Sequence, residues 1–140
     1  MSLTYVPAAL RQLVIQRANA CCEYCLIPNG ATFAPHEIDH IVAEKHGGLT
    51  EASNLALSCV LCNKQKGSDL ASIDPDTKQI VPLFNPRQHR WVEHFSFSGG
   101  RIVPLTAAGR VTVRLLRLNV PERITERELL IRANEIRVPK

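Results

Sequence analysis

Apolar and polar positions recur along this chain with two periods, and the places where the period changes mark its elements. After Pro7, a residue suited to the first turn of a helix, Leu10, Leu13, Val14 and Arg17 fall at helical spacing and predict a helix to about Ala18. Cys21 to Pro28 reads as a metal knuckle and Asn29-Gly30 as a turn. From His36 to Val42 the β-branched Ile38, Ile41 and Val42 predict a strand. A polar loop, Lys45 to Ser53 with Gly47-Gly48 inside it, leads to a second short strand at Leu55 to Leu57, and a short helix is expected to begin near Cys62.

The second half carries a different set of signals. Asp74-Pro75-Asp76 predicts a turn and Ile80 to Phe84 a strand, with Pro82 arguing for an edge position. Asn85-Pro86 reads as the cap and first turn of a short helix through Trp91. Phe95 to Ser98 and Arg101 to Val103 flank Gly99-Gly100, a two-residue hairpin signal. Thr106 is placed to cap a helix from Ala107 to Leu118, with Val111, Leu115 and Leu118 as its apolar stripe and Arg110, Arg114 and Arg117 as a basic one. That basic stripe is either a solvated face or a phosphate-tracking surface. Past Pro121, Thr125 and Glu128 form a capping-box pattern for a last helix. With no repeat, low-complexity tract or linker, the expectation is one α+β domain over residues 1–140, its core at about 20–70 and a C-terminal extension at 71–140.

Composition narrows this only a little. An apolar fraction of 45% and a charged fraction of 21% are those of a globular chain rather than a disordered one. The formal charge of +4 permits an anionic partner such as nucleic acid without requiring one. Met1 to Leu10 lacks the pattern of a secretory signal, and no stretch approaches the ~18 apolar residues of a membrane span. A reducing, cytoplasmic setting with no membrane partner is therefore expected.

The cysteines change the picture more. Cys22-x-x-Cys25 and Cys59-x-x-Cys62 are two pairs at metal-ligand spacing, with Cys21 left over. Two such pairs can wrap one tetrahedral Zn2+, and a closed four-cysteine set is structural because no position remains for substrate. A redox dithiol would explain one pair and leave the other idle. Between the pairs lies His36-Glu37-Ile38-Asp39-His40, then Asn54, and after the last cysteine Asn63-Lys64-Gln65-Lys66. Neighbours on a strand point to opposite faces, so Asp39 and His40 could approach one phosphate from two sides. A carboxylate and an amide oxygen suit a hard ion such as Mg2+, and an imidazole can take a proton from water near neutral pH. Taken singly these residues have plainer duties: Asp39 pairing with a basic side chain, Asn54 or Asn63 capping a turn or helix, His36 and Glu37 on a solvated strand face, His46 in loop structure or at a phosphate. Trp91, Phe95 and Phe97 read as core, with His89 and His94 packed or solvated beside them.

The joint spacing resembles the HNH endonuclease family, whose ββα-metal core is a strand, a loop, a strand and a helix. The motifs that carry it are the knuckles, Asp39-His40-Ile41, Lys45-His46-Gly47-Gly48, Asn54-Leu55 and Cys62-Asn63-x-x-Lys66-Gly67. Similar standalone HNH proteins carry tails like Leu83-Phe84-Asn85-Pro86-Arg87 and Trp91-x-x-His94-Phe95. The resemblance implies His40 as general base, Asp39 as metal ligand and Asn54 as the residue that orients the base and braces the loop. It implies Asn63 in place of the family's final histidine, an H-N-N variant in which Asn63 is a second ligand to a catalytic Mg2+ or Mn2+. The lost imidazole disfavours zinc or nickel at that site. Lys45 and Lys66 are expected as nucleic-acid contacts. The implied activity is hydrolysis of DNA phosphodiester bonds; the alternatives are a non-catalytic zinc-stabilised DNA-binding module and an RNA-cleaving HNH nuclease.

Overall fold

In a computed structural model residues 5–139 are described, so Met1 to Thr4 of the N-terminal stretch read above, and Lys140, lie outside the described residues. The chain forms two compact units, Met1–Leu70 and Ala71–Lys140. The elements are mixed helices and small antiparallel strands, an α+β fold as the hydrophobic pattern implies.

In the first unit α1 spans Ala8–Arg17, with Pro7 at the cap position just before it. Val14 is fully buried, and it packs with Val6, Leu55 and Leu57 while Leu10, Ile15, Ala18 and Ile38 lean on that cluster. Leu13, expected in the stripe, faces solvent instead. Strands β1 (Glu37–His40) and β2 (Leu55–Ser58) pair antiparallel, with Ile38 opposite Leu57 and His40 opposite Leu55. β1 is shorter than the expected His36–Val42, because Val42 leaves the ladder to bond the Asn54 side chain. Helix α2 (Val60–Lys66) starts earlier than expected, at the second knuckle itself. Cys59 is its cap, the sulfur accepting from Cys62 N at 3.4 Å.

Among the described residues the second unit is built from two hairpins and three helices. β3 (Ala71–Ile73), which the pattern did not signal, pairs with β4 (Ile80–Pro82) around the Asp74 turn. Arg110 forks onto both oxygens of buried Asp74 at 2.8 Å, and this guanidinium holds the carboxyl well below the usual carboxylate range. β4 stops two residues short of the expected Phe84, since Leu83 and Phe84 turn into the core and Phe84 N donates to Thr112 Oγ1. The helix expected from Asn85 begins only at Trp91: Asn85 caps a turn through Arg87 N, and α3 is Trp91–His94. The glycine hairpin forms as expected, with β5 (Phe95–Ser98) and β6 (Arg101–Pro104) on either side of Gly99-Gly100. Phe95 meets Phe84 edge-on and packs against Trp91, with ring centroids 5.2 and 5.1 Å apart, so Trp91 and Phe95 are core while Phe97 is only part-buried.

Helix α4 (Ala107–Leu115) is capped by Thr106, whose hydroxyl accepts from Gly109 N, but it ends three residues before the expected Leu118. Leu116 rather than Leu115 joins Val111 in the core, and Arg117 takes a positive φ of 53° beyond the helix. The basic stripe is therefore broken: Arg110 is spent on Asp74 and Arg117 leaves the helical register. Helix α5 (Pro121–Arg132) starts at Pro121 with Val120 in the cap position, so Thr125 lies inside it and the capping box does not form. No helix among the described residues is long and apolar enough to cross a membrane.

Candidate active site

The two knuckles meet. The Sγ atoms of Cys22, Cys25, Cys59 and Cys62 all lie within 4.8 Å of one another, buried, with Cys25 and Cys59 3.7 Å apart. Tetrahedral Zn–S bonds place sulfurs roughly 3.8 Å apart, so the set fits a zinc ion. Burial pushes the Cys22 and Cys62 thiols well up, whereas hydrogen bonding, chiefly with Cys22, lowers Cys59. Four thiolates crowded without water need a dication to stay charged. Cys21 stands outside this set, its thiol turned to Asn19 O at 3.3 Å.

Strand β1 and helix α2 lie side by side, and their periods match there. Glu37 and Asp39, two apart on the strand, share one face; Asn63 and Lys66, three apart on the helix, share another. Asn63 Nδ2 donates to Glu37 Oε1 at 2.9 Å. Lys66 Nζ sits 3.3 Å from both oxygens of Asp39 and donates to the carbonyls of His40 and Ile41. Tyr24, from inside the first knuckle, donates its hydroxyl to Asp39 Oδ2 at 2.8 Å. Asp39 is 4% exposed, and burial raises its carboxyl while Lys66 draws it down.

His40 lies on the opposite face of β1. Its Nε2 meets Thr50 Oγ1 at 2.9 Å and Glu44 Oε1 at 3.8 Å. A hydroxyl can donate or accept, so Nε2 is engaged in either tautomer, and Nδ1 is the other ring nitrogen. That Nδ1 is buried and has no hydrogen-bond partner. Asn54 makes no hydrogen bond to the ring. Its Oδ1 accepts from Val42 N and its Nδ2 donates to Val42 O and Leu49 O, each at 2.9 Å, so it braces the loop that carries Glu44 and Thr50. Gly48 closes that loop where no side chain fits, since a Cβ there would collide with the Val42 carbonyl.

One cleft in this unit is lined by Glu37, Asp39, His40 and Asn63, with Lys45 and Lys64 also on its wall. The sequence-predicted residues Asp39, His40, Asn63 and Lys45 thus come together, and Asn54 stands behind them. Lys66 does not join them as a nucleic-acid contact: it is 2% exposed, its ammonium enclosed by Asp39 and two carbonyls. His36, read as a strand-face residue, is buried and bonds the Ile27 carbonyl through Nε2 at 2.8 Å. His46 meets Ser68 O at 3.1 Å. Sequence reasoning missed Thr50, Glu44, Tyr24, and Arg11 on the cleft wall. Glu44 was in principle findable as the residue four after His40; nothing in the pattern marked the others.

A strand, a braced loop, a strand and a helix thus stand beside a cluster of four cysteines able to hold a metal ion. Residues 22–69 match the family model of the HNH endonucleases. No curated protein and no solved structure matches the chain.

Proposed function

We propose that this protein is a metal-dependent endonuclease that hydrolyses DNA phosphodiester bonds in the cleft beside β1. In this reading His40 is the general base, Asp39 and Asn63 hold one divalent ion, Mg2+ or Mn2+, and Asn54 keeps the loop around His40 in shape. The observation that carries it is the state of His40: Nε2 is engaged by Thr50, Nδ1 is buried without a partner, and the residue lines a cleft shared with three carboxylates and an amide. The donors fit a hard ion. With its NH2 group given to Glu37, Asn63 has its carbonyl oxygen left to bind, and oxygen ligands are what Mg2+ and Mn2+ prefer.

When bound, such an ion supplies Lewis-acid polarisation of the phosphoryl oxygen and a counter-charge for the leaving oxygen. The chain supplies the proton chemistry. His40 takes the proton of the attacking water at Nδ1 while Nε2–H stays on Thr50, and Glu44 offsets the charge the ring acquires. Lys45, with Arg11 and Lys64 on the same wall, provides sequence-independent phosphate contacts. Cys22, Cys25, Cys59 and Cys62 close around Zn2+ and leave no position there for substrate. A reducing, cytoplasmic setting that keeps these thiols from forming disulfides accords with this reading.

A second reading has its own support. Asp39 is paired with Lys66 and Tyr24, as in a purely structural carboxylate, which favours a zinc-stabilised DNA-binding module without catalysis. Supercoiled plasmid and structured RNA, each incubated with Mg2+ or Mn2+, separate these possibilities. The expected result is plasmid nicking that His40→Ala reduces by about 10²-fold or more, with DNA affinity changed only a few-fold. Retarded but uncut plasmid would establish the binding module, and faster cleavage of RNA would replace the substrate.

A further inference from the structure

We propose that Tyr24 is a positioning residue for Asp39, through which the first zinc knuckle sets the carboxylate that holds the catalytic ion; this rests on Asp39 being an ion ligand. Tyr24 lies between Cys22 and Cys25 and is 1% exposed. A tyrosine needed only for packing would be served as well by phenylalanine, yet its hydroxyl reaches across to Asp39 Oδ2 at 2.8 Å.

The geometry gives that bond a specific task. The last torsion of an aspartate is soft and nearly two-fold, so its two oxygens exchange readily unless a partner distinguishes them. Lys66 does so only weakly, hydrogen-bonding Oδ1 while its Nζ lies equally 3.3 Å from Oδ2. Tyr24 donates to Oδ2 at 2.8 Å and so holds that oxygen toward the knuckle, which fixes the plane of the carboxylate and where Oδ1 lies.

The knuckle that carries Tyr24 is itself fixed to the hairpin. Glu23 N donates to Leu57 O at 2.8 Å, and the Glu23 carboxylate accepts from Leu57 N at 2.8 Å, stitching the loop to β2. Within the loop Cys25 N approaches Cys22 Sγ at 3.5 Å and Leu26 N donates to Cys22 O at 2.9 Å. The two residues between the cysteines thus reach the two strands, Glu23 to β2 and Tyr24 to β1. Cysteine ligation holds both ends of this four-residue loop, so the position of the hydroxyl depends on an intact knuckle. The zinc site then does more than staple the fold: one hydroxyl links it to the carboxylate at the cleft.

Tyr24→Phe removes the oxygen and keeps the ring. In a His40→Ala background, where turnover is stopped, Mn2+ binding to the zinc-loaded protein is measured by electron paramagnetic resonance of the free ion. The Mn2+ dissociation constant is expected to rise about tenfold, the usual scale for loss of a partner behind a metal ligand. Zinc content should hold at one per chain. With His40 present, the Mg2+ concentration for half-maximal cleavage should rise by the same factor while the rate at saturating Mg2+ changes much less. Asp39→Ala in the same background separates the two levels of the argument. If it loses Mn2+ binding while Tyr24→Phe stays within twofold of its parent, Tyr24 is only packing and the proposal is overturned, with the ion site intact. If Asp39→Ala binds Mn2+ as tightly as its parent, Asp39 is no ligand and the functional reading fails along with the proposal. Zinc lost from Tyr24→Phe would also overturn it, because the hydroxyl would then serve the knuckle rather than the carboxylate.

Discussion

Two short hairpins in this chain, β1–β2 and β5–β6, are each clasped by an asparagine that bonds one backbone residue at both its N–H and its C=O. Asn54 holds Val42 in this way just past the end of β1, with both distances 2.9 Å. Asn119 holds Ile102 within β6, at 2.9 and 2.7 Å. The surroundings then diverge. Around Asn119 the buried polar groups are closed off: Arg127, 1% exposed, gives its guanidinium to Gly100 O, Leu118 O and Asn119 Oδ1. Around Asn54 they are left open. Among the described residues the buried side-chain atoms without a partner are Nδ1 of His40 and Nδ1 of His36, both in the first unit. An unsatisfied buried donor or acceptor costs about 1–3 kcal/mol, and the second unit avoids that cost while the first bears it beside a cleft. The same clasp closes a satisfied polar network in one place and, in the proposed reading, the loop around the general base in the other.

The largest test of this contrast is Cys59→Ser. It removes one thiolate from a set that fits a zinc ion, whose binding is worth roughly 10–16 kcal/mol in small zinc domains, while serine can still cap α2. Zinc below one per chain and lost amide protection across β1, β2 and α2 are expected by hydrogen exchange. Native protection in that region without zinc would mean that the hairpin stands by packing alone, and the open site would need no metal frame.

A finer test deletes the clasps themselves. Asn119→Ala strands the N–H and C=O of a residue with no solvent exposure and takes one acceptor from Arg127, so a loss of about 2–3 kcal/mol is expected. Asn54→Ala strands Val42, which is only half-buried and can turn to water, and should cost about 1–2 kcal/mol. Activity should reverse that order. Asn54→Ala releases the loop that presents Thr50 and Glu44 to His40 and should lower the cleavage rate of the folded protein, whereas Asn119→Ala should leave it unchanged. Equal rates in the two variants would erase the distinction between the clasps.

These differences bear on what the chain discloses before folding. The knuckles, His40 on a strand and the glycine hairpin are legible because spacing or turn chemistry alone determines them. The cleft's supporting contacts are not. Thr50 reaches His40 only because a loop closes on Gly48, and Lys66 looks like a phosphate contact until α2 lays it along Asp39. In the second unit the errors are of register: Asn85 caps a turn instead of a helix, and α4 unwinds at Leu116 so that Leu116 and Leu118 can both enter the core. Burial of particular side chains overrode local pattern in each case.

The capping-box pattern at Thr125 and Glu128 is the smallest such conflict, and its sign can be measured. Were Thr125 a cap, Thr125→Ala would cost about 1 kcal/mol. In the structure α5 begins four residues earlier, at Pro121, and Thr125 is an exposed residue of its interior. Glu128 turns the other way, accepting from Arg132 at 3.4 Å one turn on. A β-branched threonine on an exposed helical position is a weaker helix former than alanine by up to about 0.7 kcal/mol. Thr125→Ala should therefore raise the stability of the second unit by about 0.5 kcal/mol. For a unit of this size that is an increase of roughly 2–4 °C in its melting temperature, where a lost cap would lower it by about 4–8 °C. Calorimetry distinguishes a rise from a fall of that size, and a fall would place the start of the last helix at Thr125.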